Sequence, residues 1–402
     1  MPKPGQLGWH HSARPATPTG LRRRTRAFAT RAAIPACLTA LLTACPPAPP
    51  QGTVNVAVTL GYADQEDGLT HPVVQVPVEV WSFAPRGAGV WTWAKVGSAT
   101  TDQTGSTLIT SNFQNDRVRY AVRVFLKNSG ARCCSGWVLP GMPLPFGGDY
   151  IHLGADTGGS PTELTIDQPG ELHFNHTFTG DVASAFNILD VLRNMADFVR
   201  RHEADVKDDR IEVVTIGIDK KTWFDPVAYT VDFVPRTRWM DSAIRHEYGH
   251  YVQAQIGSLA WIASTHSGCT PSEMHTFGGF GNAAGTEDGR RRQHAWLEGF
   301  ADWLEQAAYA DNPSLYAPDS SAGYLETATC REVGPWPDGD RFENHVAAFL
   351  WDMIDPYSLA EADDKDDGAQ QIGRIIRAVD TDLDHYHWPE VSELSTAMSP
   401  TT

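Results

Sequence analysis

The sequence predicts a multidomain protein in which an all-β sandwich module precedes an α+β domain. Two observations support this order. Between residues 54 and 126, β-branched and aromatic residues alternate with polar ones, and from residue 181 onward apolar residues recur every three or four positions. The 402 residues are enough for two such domains, and a content of 41% hydrophobic and 20% charged residues is typical of globular proteins.

The first 44 residues are typical of an export signal. They contain seven basic residues and no acidic one, and the apolar run at 32–44 is too short to span a bilayer as a helix. The stretch LTAC at 42–45 resembles the bacterial lipobox, in which the signal is cleaved before the cysteine and the cysteine is acylated. The resemblance implies a lipid anchor on Cys45, with a plain signal peptide cut nearby as the alternative. In both cases we expect an exported protein, either a cell-envelope lipoprotein or an extracellular one.

The chain is strongly acidic, with a formal net charge of −17. Without the first 44 residues, 25 basic residues stand against 49 acidic ones. A surface of this charge repels phosphate backbones and anionic lipid headgroups. We therefore expect no nucleic-acid partner, and we expect membrane association only through the N-terminal lipid anchor.

A short tether and a β module follow the signal. Cys45 and the proline-rich run PPAPPQG make up residues 45–52, which predict a stiff, extended tether. The β module is predicted at 53–170, with strands at 54–60, 73–81, 90–97 and 117–126. The run PVEVW, followed by TTDQTGSTLI, resembles the Ig-like or transthyretin-like modules of exported bacterial proteins.

The second domain is predicted at 175–402, where the hydrophobic period changes. A Gly/Pro-rich segment at 135–170 ends the β region, and an amphipathic helix follows at 181–202. Beyond it the sequence predicts two strands and three helices, at 211–219, 229–235, 240–256, 294–310 and 342–354. Strands followed by helices indicate an α+β domain.

The stretch RHEYGHYV at 245–252 carries the first candidate site residues. On a helix, His246 and His250 lie on one face, so that both imidazoles can bind one metal ion. Glu247 lies about 100° around the helix axis and can reach a water molecule without binding the metal. The pattern predicts zinc-dependent water activation; a helix with two surface histidines and a salt-bridging glutamate is the plain alternative.

A second helix supplies further carboxylates. WLEGFADW at 296–303 places Glu298 and Asp302 one turn apart. With HExxH, this pattern resembles the gluzincin (thermolysin-like) metallopeptidases. The resemblance implies a zincin-like domain with one Zn²⁺ per chain, bound by His246, His250 and Glu298. It also implies that Glu247 is the general base and that Asp302 receives the second N–H of a ligand histidine.

Two features depart from that family. The gap from His250 to Glu298 is 48 residues, longer than in the thermolysin-like enzymes, and it contains the glycine-rich stretch at 277–289. We interpret the stretch as a lid or specificity loop; alternatively, Glu298 belongs to a different subgroup or another residue is the ligand. A metzincin pattern fails, because no third histidine occurs before His266.

Most of the other histidines and tryptophans near the site in the sequence are interpreted as structural residues, with His345 as the exception. His266, His275 and His294 are expected in loops or at the surface, whereas His345 is a candidate donor to the oxyanion of the reaction. The tryptophans near the site are expected to pack in the core: Trp296, Trp303 and Trp351.

Four cysteines remain after export and lipidation: Cys133, Cys134, Cys269 and Cys330. In an oxidising compartment they allow three connectivities. Adjacent cysteines seldom pair with each other, so we expect a Cys269–Cys330 disulfide and leave Cys133 and Cys134 unassigned.

The acidic stretch EADDKDDG at 361–368 is a candidate calcium-binding loop, because it is rich in carboxylates. An EF-hand register from Asp363 puts Lys365 and Arg374 where oxygen ligands are needed, so that this loop fails. A solvated turn is the preferred interpretation, and an irregular Ca²⁺ site remains possible but unsupported.

Together these patterns predict an exported zinc metalloendopeptidase that acts on a protein or peptide. A zinc hydrolase for another amide is one rival hypothesis. The other is a surface lipoprotein that binds a glycan or protein and carries a structural or vestigial metal site. The presence of Glu247 argues against a vestigial site, because a structural metal needs no base.

Overall fold

The computed structural model describes residues 52–85, 90–113, 118–133, 150–153, 164–166, 170–202, 211–216, 222–225, 230–256, 263–265, 273–275, 287–316, 343–354 and 372–376. All of these residues belong to one compact unit of the chain. The predicted signal peptide, the lipidated Cys45, the Cys269–Cys330 pair and the acidic turn at 361–368 all lie outside the described residues.

Ten strands occupy the described part of residues 52–178. They are β1 (Gly52–Ala63), β2 (Thr70–Pro72), β3 (Pro77–Pro85), β4 (Trp91–Thr100), β5 (Ser106–Phe113), β6 (Val118–Phe125), β7 (Ala131–Cys133), β8 (Tyr150–Leu153), β9 (Leu164–Ile166) and β10 (Gly170–Phe178). The four predicted strands are confirmed as β1, β3, β4 and β6. The other six were not predicted.

Two sheets contain most of these strands. In the first, β1 pairs in parallel with β10 and antiparallel with β2 and β5. In the second, the order is β4-β3-β6-β8, with β9 beside β6, and all pairs are antiparallel. The β1–β10 pair continues past the predicted end of the β module at residue 170.

The alternation of side chains fixes which face of each strand is buried. Along β1, Val54, Val56, Val58 and Leu60 are at most 1% exposed, and the residues between them face outward or are half-buried. The same pattern on β3 and β6 buries valines on one face and leaves charged and aromatic residues on the other. The inward residues belong to one continuous apolar core.

Helix α1 (Gly180–His202) packs against this β region. Phe178 at the end of β10 contacts Phe186 of α1, with ring centroids 4.6 Å apart. The turn after β6 also docks on α1, because Asn128 Nδ2 donates to the carbonyl of Leu189 at 2.6 Å. The apolar spacing that predicted this helix therefore corresponds to a side buried against the strands.

The rest of the described chain combines short strands with three more helices. The elements are β11 (Ile211–Ile216), β12 (Trp223–Asp225), β13 (Thr230–Phe233), α2 (Asp241–Ile256), β14 (Ala263–Thr265), β15 (Glu273–His275), α3 (Glu287–Asp311) and α4 (Glu343–Asp352). A further helical segment covers 372–376, and β7 joins β12, β13 and β11 in a third sheet. The helices predicted at 240–256, 294–310 and 342–354 are confirmed, although α3 begins earlier than predicted.

Helix α3 packs closely against both α2 and α4, and glycines form both contacts. A Cβ on Gly249 of α2 would lie 2.7 Å from Ala301 Cα, and one on Gly299 of α3 would lie 2.6 Å from the Glu343 carbonyl oxygen. Trp303 and Trp296 are buried and Trp351 is partly buried against the same core, as expected from the sequence. Any larger residue at Gly249 or Gly299 would push the helices apart.

The structure thus mixes sheet and helix in both halves of the described chain. The division into a β-sandwich at 53–170 and a zincin-like domain at 175–402 stays a prediction. No helix among the described residues has the length and apolar character needed to cross a membrane.

Candidate metal site

The helix that carries the HExxH stretch begins against a loop of the β region. The backbone N–H of Asp241, the first residue of α2, donates to Glu66 Oε2 at 3.0 Å. The Asp241 carboxylate accepts in turn from Asn187 Nδ2 of α1 at 3.3 Å. A carboxylate at a helix N-terminus satisfies an orphan N–H and complements the positive end of the helix dipole. Two other elements therefore fix the start of α2.

The loop that supplies Glu66 is braced by its own acidic residues. Asp64 Oδ1 accepts the N–H of Glu66, and Asp67 Oδ1 accepts the N–H of Leu69, both at 2.7 Å. His71 Nε2 lies 2.7 Å from Asp67 Oδ2. Asp64, Asp67 and His71 are close enough together to hold a cation, but Asp64 Oδ1 and both Asp67 oxygens already form hydrogen bonds within the loop. We therefore assign the group to shaping the loop.

Three predicted ligand atoms meet between α2 and α3. His246 Nε2 and His250 Nε2 each lie 3.2 Å from Glu298 Oε2. The two imidazole rings stand almost perpendicular, with an interplanar angle of 88°. The three side chains are 12–15% exposed, so that the group borders solvent without being open to it. The structure brings together the residues that the sequence motifs selected.

The hydrogen bonds on the far side of the rings test whether the group fits a metal ion. His246 Nδ1 lies 2.8 Å from Asp302 Oδ1, and His250 Nδ1 lies 3.1 Å from Gln253 Oε1. Both partners offer oxygen acceptors to Nδ1, so that each Nδ1 can carry the proton and leave the lone pair of Nε2 available to a metal ion.

In that tautomer three lone pairs face one another, and they repel unless a proton or a metal ion lies between them. Donor atoms around a tetrahedral zinc with bonds of about 2.0–2.1 Å stand about 3.3 Å apart. The 3.2 Å separations between each histidine Nε2 and Glu298 Oε2 agree with that value. The donor set therefore fits a zinc ion.

The electrostatics of the group also favour positive charge. Burial disfavours the charged form of His246, but the Asp302 and Glu298 carboxylates outweigh it and raise the pKa of His246 well above its usual value. His250 is buried in the same way, and Glu298 raises its pKa as well. The pocket between the helices thus attracts a cation.

Glu247 lies next to His246 on α2, with a side chain that is 7% exposed. Its negative charge is among those that raise the pKa of His250, which indicates that the two side chains are close. The described group of converging ligand atoms contains His246, His250 and Glu298 and does not include Glu247. Its role as a base stays a prediction.

Two residues of the site were missed by the sequence analysis. His294 was expected in a loop or at the surface, but it is fully buried on α3, with Nε2 3.5 Å from Glu298 Oε1. Gln253, 2% exposed, contacts His250 Nδ1 one turn along α2. The spacing of His294, four residues before Glu298, is the signal that could have identified it.

A buried arginine lies directly before the first histidine of the motif. Arg245 is fully buried, with Cζ 4.6 Å from the ring centroid of Tyr316 and 5.2 Å from that of Tyr309. Its Nη2 is 3.6 Å from Glu305 Oε1. Burial raises the pKa of Tyr316, although the positive charge of Arg245 acts in the opposite direction. One buried guanidinium thus accompanies the carboxylates of α3.

Other predicted residues have less definite positions. His345 lies half-buried on α4, which packs on α3, and its role as oxyanion donor stays a prediction. Of the glycine-rich stretch at 277–289, the last three residues belong to α3 and the rest lie outside the described residues. Cys133, which the sequence left unassigned, is buried and disulfide-bonded.

The family described as the Mycolysin C-terminal domain matches residues 200–400, which is half of the chain. The chain belongs to the Mycolysin C-terminal domain family. The matched range contains α2, α3 and all residues of the candidate metal site. Membership in the Mycolysin C-terminal domain family relates the chain to the peptidases and suggests zinc as its metal.

Two individual proteins are also similar. An uncharacterized protein of Archaeoglobus fulgidus is 29% identical over 217 residues, which are 52% of this chain and 56% of that protein. This Mycolysin C-terminal domain protein therefore spans little more than half the length of that relative. The crystal structure of (S)-allantoin synthase is 16% identical over 31% of this chain and 41% of that chain, with a TM-score of 0.19, too low to carry an argument.

Proposed function

We propose that the chain is an exported zinc-dependent metalloendopeptidase. The observation that carries this proposal is the convergence of His246 Nε2, His250 Nε2 and Glu298 Oε2, with an oxygen acceptor next to Nδ1 of each ring. In this proposal these three residues bind one zinc ion per chain. The peptidase relationship of the family supports the same conclusion.

The residues around the group have distinct roles in this mechanism. When bound, zinc supplies a Lewis acid that makes a water molecule acidic enough to attack a peptide carbonyl near neutral pH. Glu247 accepts the proton of the attacking water and passes it to the leaving nitrogen. Asp302 and Gln253 hold the ligand imidazoles in one tautomer, while His294 contacts the outer oxygen of Glu298.

A catalytic site explains the residues better than a structural one. Structural zinc sites usually have four protein ligands, whereas catalytic sites have three and leave one position for water. The described residues at this point offer one converging group of two histidines and a glutamate. A catalytic site needs a base and a structural site does not, and Glu247 supplies a buried carboxylate next to His246.

We also infer that the protein acts outside the cytoplasm. The basic N-terminus, the apolar run and the LTAC stretch support export and a lipid anchor on Cys45. The disulfide at Cys133 supports an oxidising compartment. In this proposal the membrane is contacted through the anchor, and the substrate is a protein or peptide.

Metal analysis of purified variants tests the proposal. We expect about one zinc per chain in the wild type by elemental analysis, and none in His246→Ala or Glu298→Ala. His173→Ala and Glu171→Ala are matched controls, because both residues are exposed on β10, and they should keep the metal.

A peptide-library digest, with and without chelator, then tests the reaction. Chelator-sensitive cleavage is expected from the wild type and from both controls. If Glu298→Ala contains as much zinc as the wild type, Glu298 is not a ligand and the proposed three-residue site is wrong. Zinc without cleavage of any peptide would favour a surface lipoprotein with a structural metal.

A further inference from the structure

Helix α2 begins where a loop of the β region and helix α1 meet. The N–H of Asp241, the first residue of α2, donates to Glu66 Oε2 at 3.0 Å. The Asp241 carboxylate accepts from Asn187 Nδ2 at 3.3 Å, and the same amide nitrogen donates to the Arg238 carbonyl at 3.5 Å. We call Glu66, Asn187 and Asp241 the α2 cap, because they hold the first residue of the helix through both its N–H and its carboxylate.

The loop that carries Glu66 is ordered by its own hydrogen bonds. The Asp64 N–H donates to the Leu69 carbonyl at 2.9 Å and closes the loop, and Asp64 Oδ1 accepts the N–H of Glu66 at 2.7 Å. Near the end of β1, the Tyr62 hydroxyl donates to Asp190 Oδ2 of α1 at 3.4 Å. Glu66 is an exposed residue, but its backbone is therefore tied to the two elements that also hold the start of α2.

The ligand histidines follow the α2 cap along the same helix. His246 lies five residues after Asp241, which corresponds to about 7.5 Å along the axis at about 1.5 Å per residue, and His250 lies about one turn further. Their partner Glu298 lies on α3. A displacement of α2 therefore changes the 3.2 Å separations between each histidine Nε2 and Glu298 Oε2. Metal sites depend on placement of their ligands within about 0.5 Å.

The α2 cap and the contact with α3 constrain α2 in different directions. At Gly249 an added Cβ would lie 2.7 Å from Ala301 Cα, so that this contact sets the lateral distance between the helices. The N–H groups at the start of a helix point roughly along its axis. The hydrogen bond from Asp241 to Glu66 therefore opposes a shift of α2 along its axis, which would move both imidazoles past Glu298.

We propose that Glu66 is a positioning residue for the metal site. Its carboxylate accepts an N–H at a position where the helix itself offers no acceptor, and its charge complements the positive end of the helix dipole. A loop of the β region thereby sets the axial position of His246 and His250. This proposal rests on the proposed function, because it takes these histidines and Glu298 as zinc ligands. It adds that the β region contributes to a site that lies in the family-matched range 200–400.

Zinc competition with the full chain tests the positioning role. Glu66→Ala removes both the acceptor and the charge, so we expect the dissociation constant for zinc to rise about two- to tenfold. Glu66→Gln keeps an oxygen acceptor and should recover most of the affinity, which a loss of packing alone would not explain. Glu171→Ala is the matched control, because Glu171 is a glutamate of β10 with a side chain that is 56% exposed. It should bind zinc as the wild type does.

Two further measurements report on the geometry of the ligands and on the helix. Co²⁺ in place of zinc has visible absorption bands that respond to the arrangement of the donor atoms. These bands should change in Glu66→Ala and return in Glu66→Gln. Hydrogen exchange of the segment 240–256 measures the helix without metal, and the amides of its first turn should exchange faster in Glu66→Ala than in the wild type and the control.

The outcomes separate this proposal from the proposed function. A wild-type protein that binds no zinc would overturn the proposed function and the positioning role together. Wild-type zinc affinity and an unchanged Co²⁺ spectrum in folded Glu66→Ala would overturn the positioning role alone, even if hydrogen exchange increases. An equal loss of zinc affinity in Glu171→Ala would also overturn it, because the effect would then come from surface charge in general.

Discussion

The β region at 52–178 and the helical region that holds the candidate site bury different kinds of side chain. Inside the β region the strands contribute mainly valine and leucine to the core, as in Val54, Val78 and Val122, each 0% exposed. The helical region also has a large apolar core, but the residues around the candidate site are charged or polar and buried: Arg245, Glu247, Gln253, His294, Glu298 and Glu305.

The comparison shows that the two regions depend on different forces. Apolar burial stabilises the β region at about 25 cal/mol per Å² of area removed from water. Buried charges cost free energy unless partners or a metal compensate them. The geometry of α2 and α3 therefore depends on charged partners such as Asp302, whereas β1 and β6 depend mainly on apolar packing and strand pairing.

The largest expected effect concerns chemistry alone. Glu247→Gln removes the proton acceptor and keeps the shape of the side chain, so we expect hydrolysis to fall by about 10²–10⁴-fold. Zinc content and the thermal midpoint should stay close to those of the wild type. A peptide assay beside elemental analysis measures both, with Glu171→Gln as control. Full turnover in the purified variant would remove Glu247 from the mechanism.

A core substitution in the β region should lower the stability of the protein and leave zinc binding unchanged. Leu60→Ala removes a side chain that is 1% exposed and should lower the free energy of unfolding by about 2–5 kcal/mol. Zinc affinity should not change at temperatures where the variant is folded. Denaturant unfolding and a chelator competition measure the two quantities. A loss of zinc affinity in the folded variant would show that the regions are not separable in this way.

Removing the carboxylate behind His246 should affect the metal more than the fold. Asp302→Ala takes away the acceptor 2.8 Å from Nδ1 and should weaken zinc binding by about 10–100-fold. Competition with a chelator of known affinity measures the change, and Asp311→Ala, at the end of the same helix, is the control. If Asp302→Ala binds zinc as tightly as the wild type, Asp302 does not support the metal site.

The smallest expected effect belongs to the neutral partner on the other ring. Gln253→Ala removes an uncharged acceptor from His250 and should weaken zinc binding by about three- to tenfold. Gln253→Glu keeps an acceptor and should restore the affinity, an effect that repacking alone would not produce. If Gln253→Ala weakens zinc binding as much as Asp302→Ala does, the negative charge of Asp302 does not make it the more important acceptor.

Local sequence patterns were sufficient for much of the helical region. The 3.6-residue periodicity predicted α1, α2 and α4, and the four-residue spacing selected His246 and His250. Glu298 and Asp302 were added by the resemblance to the gluzincins. These signals work because residues four apart share a helix face. Contact between α2 and α3 could not be predicted in this way, since it depends on Gly249 lying against Ala301.

Other features leave no local signal. The stretch GELHFNHTF was not predicted to form a strand. It forms β10 by pairing in parallel with β1, which lies more than 100 residues earlier. His294 looks like an ordinary polar residue until the helix that buries it is packed. The hydrogen bond from Asp241 to Glu66 joins residues 175 positions apart, and no pattern in either segment indicates it.

The position of β1 also has a consequence for the order in which the protein can fold. A chain that crosses a membrane from its N-terminus presents β1 first, but β5 and β10 follow only after about 50 and 110 further residues. Pairing at such sequence separation is slow, because the intervening loop must be closed before any contact forms. In the export that we propose, β1 is therefore a long strand with unpaired edges that can associate with other chains until its parallel partner has crossed the membrane.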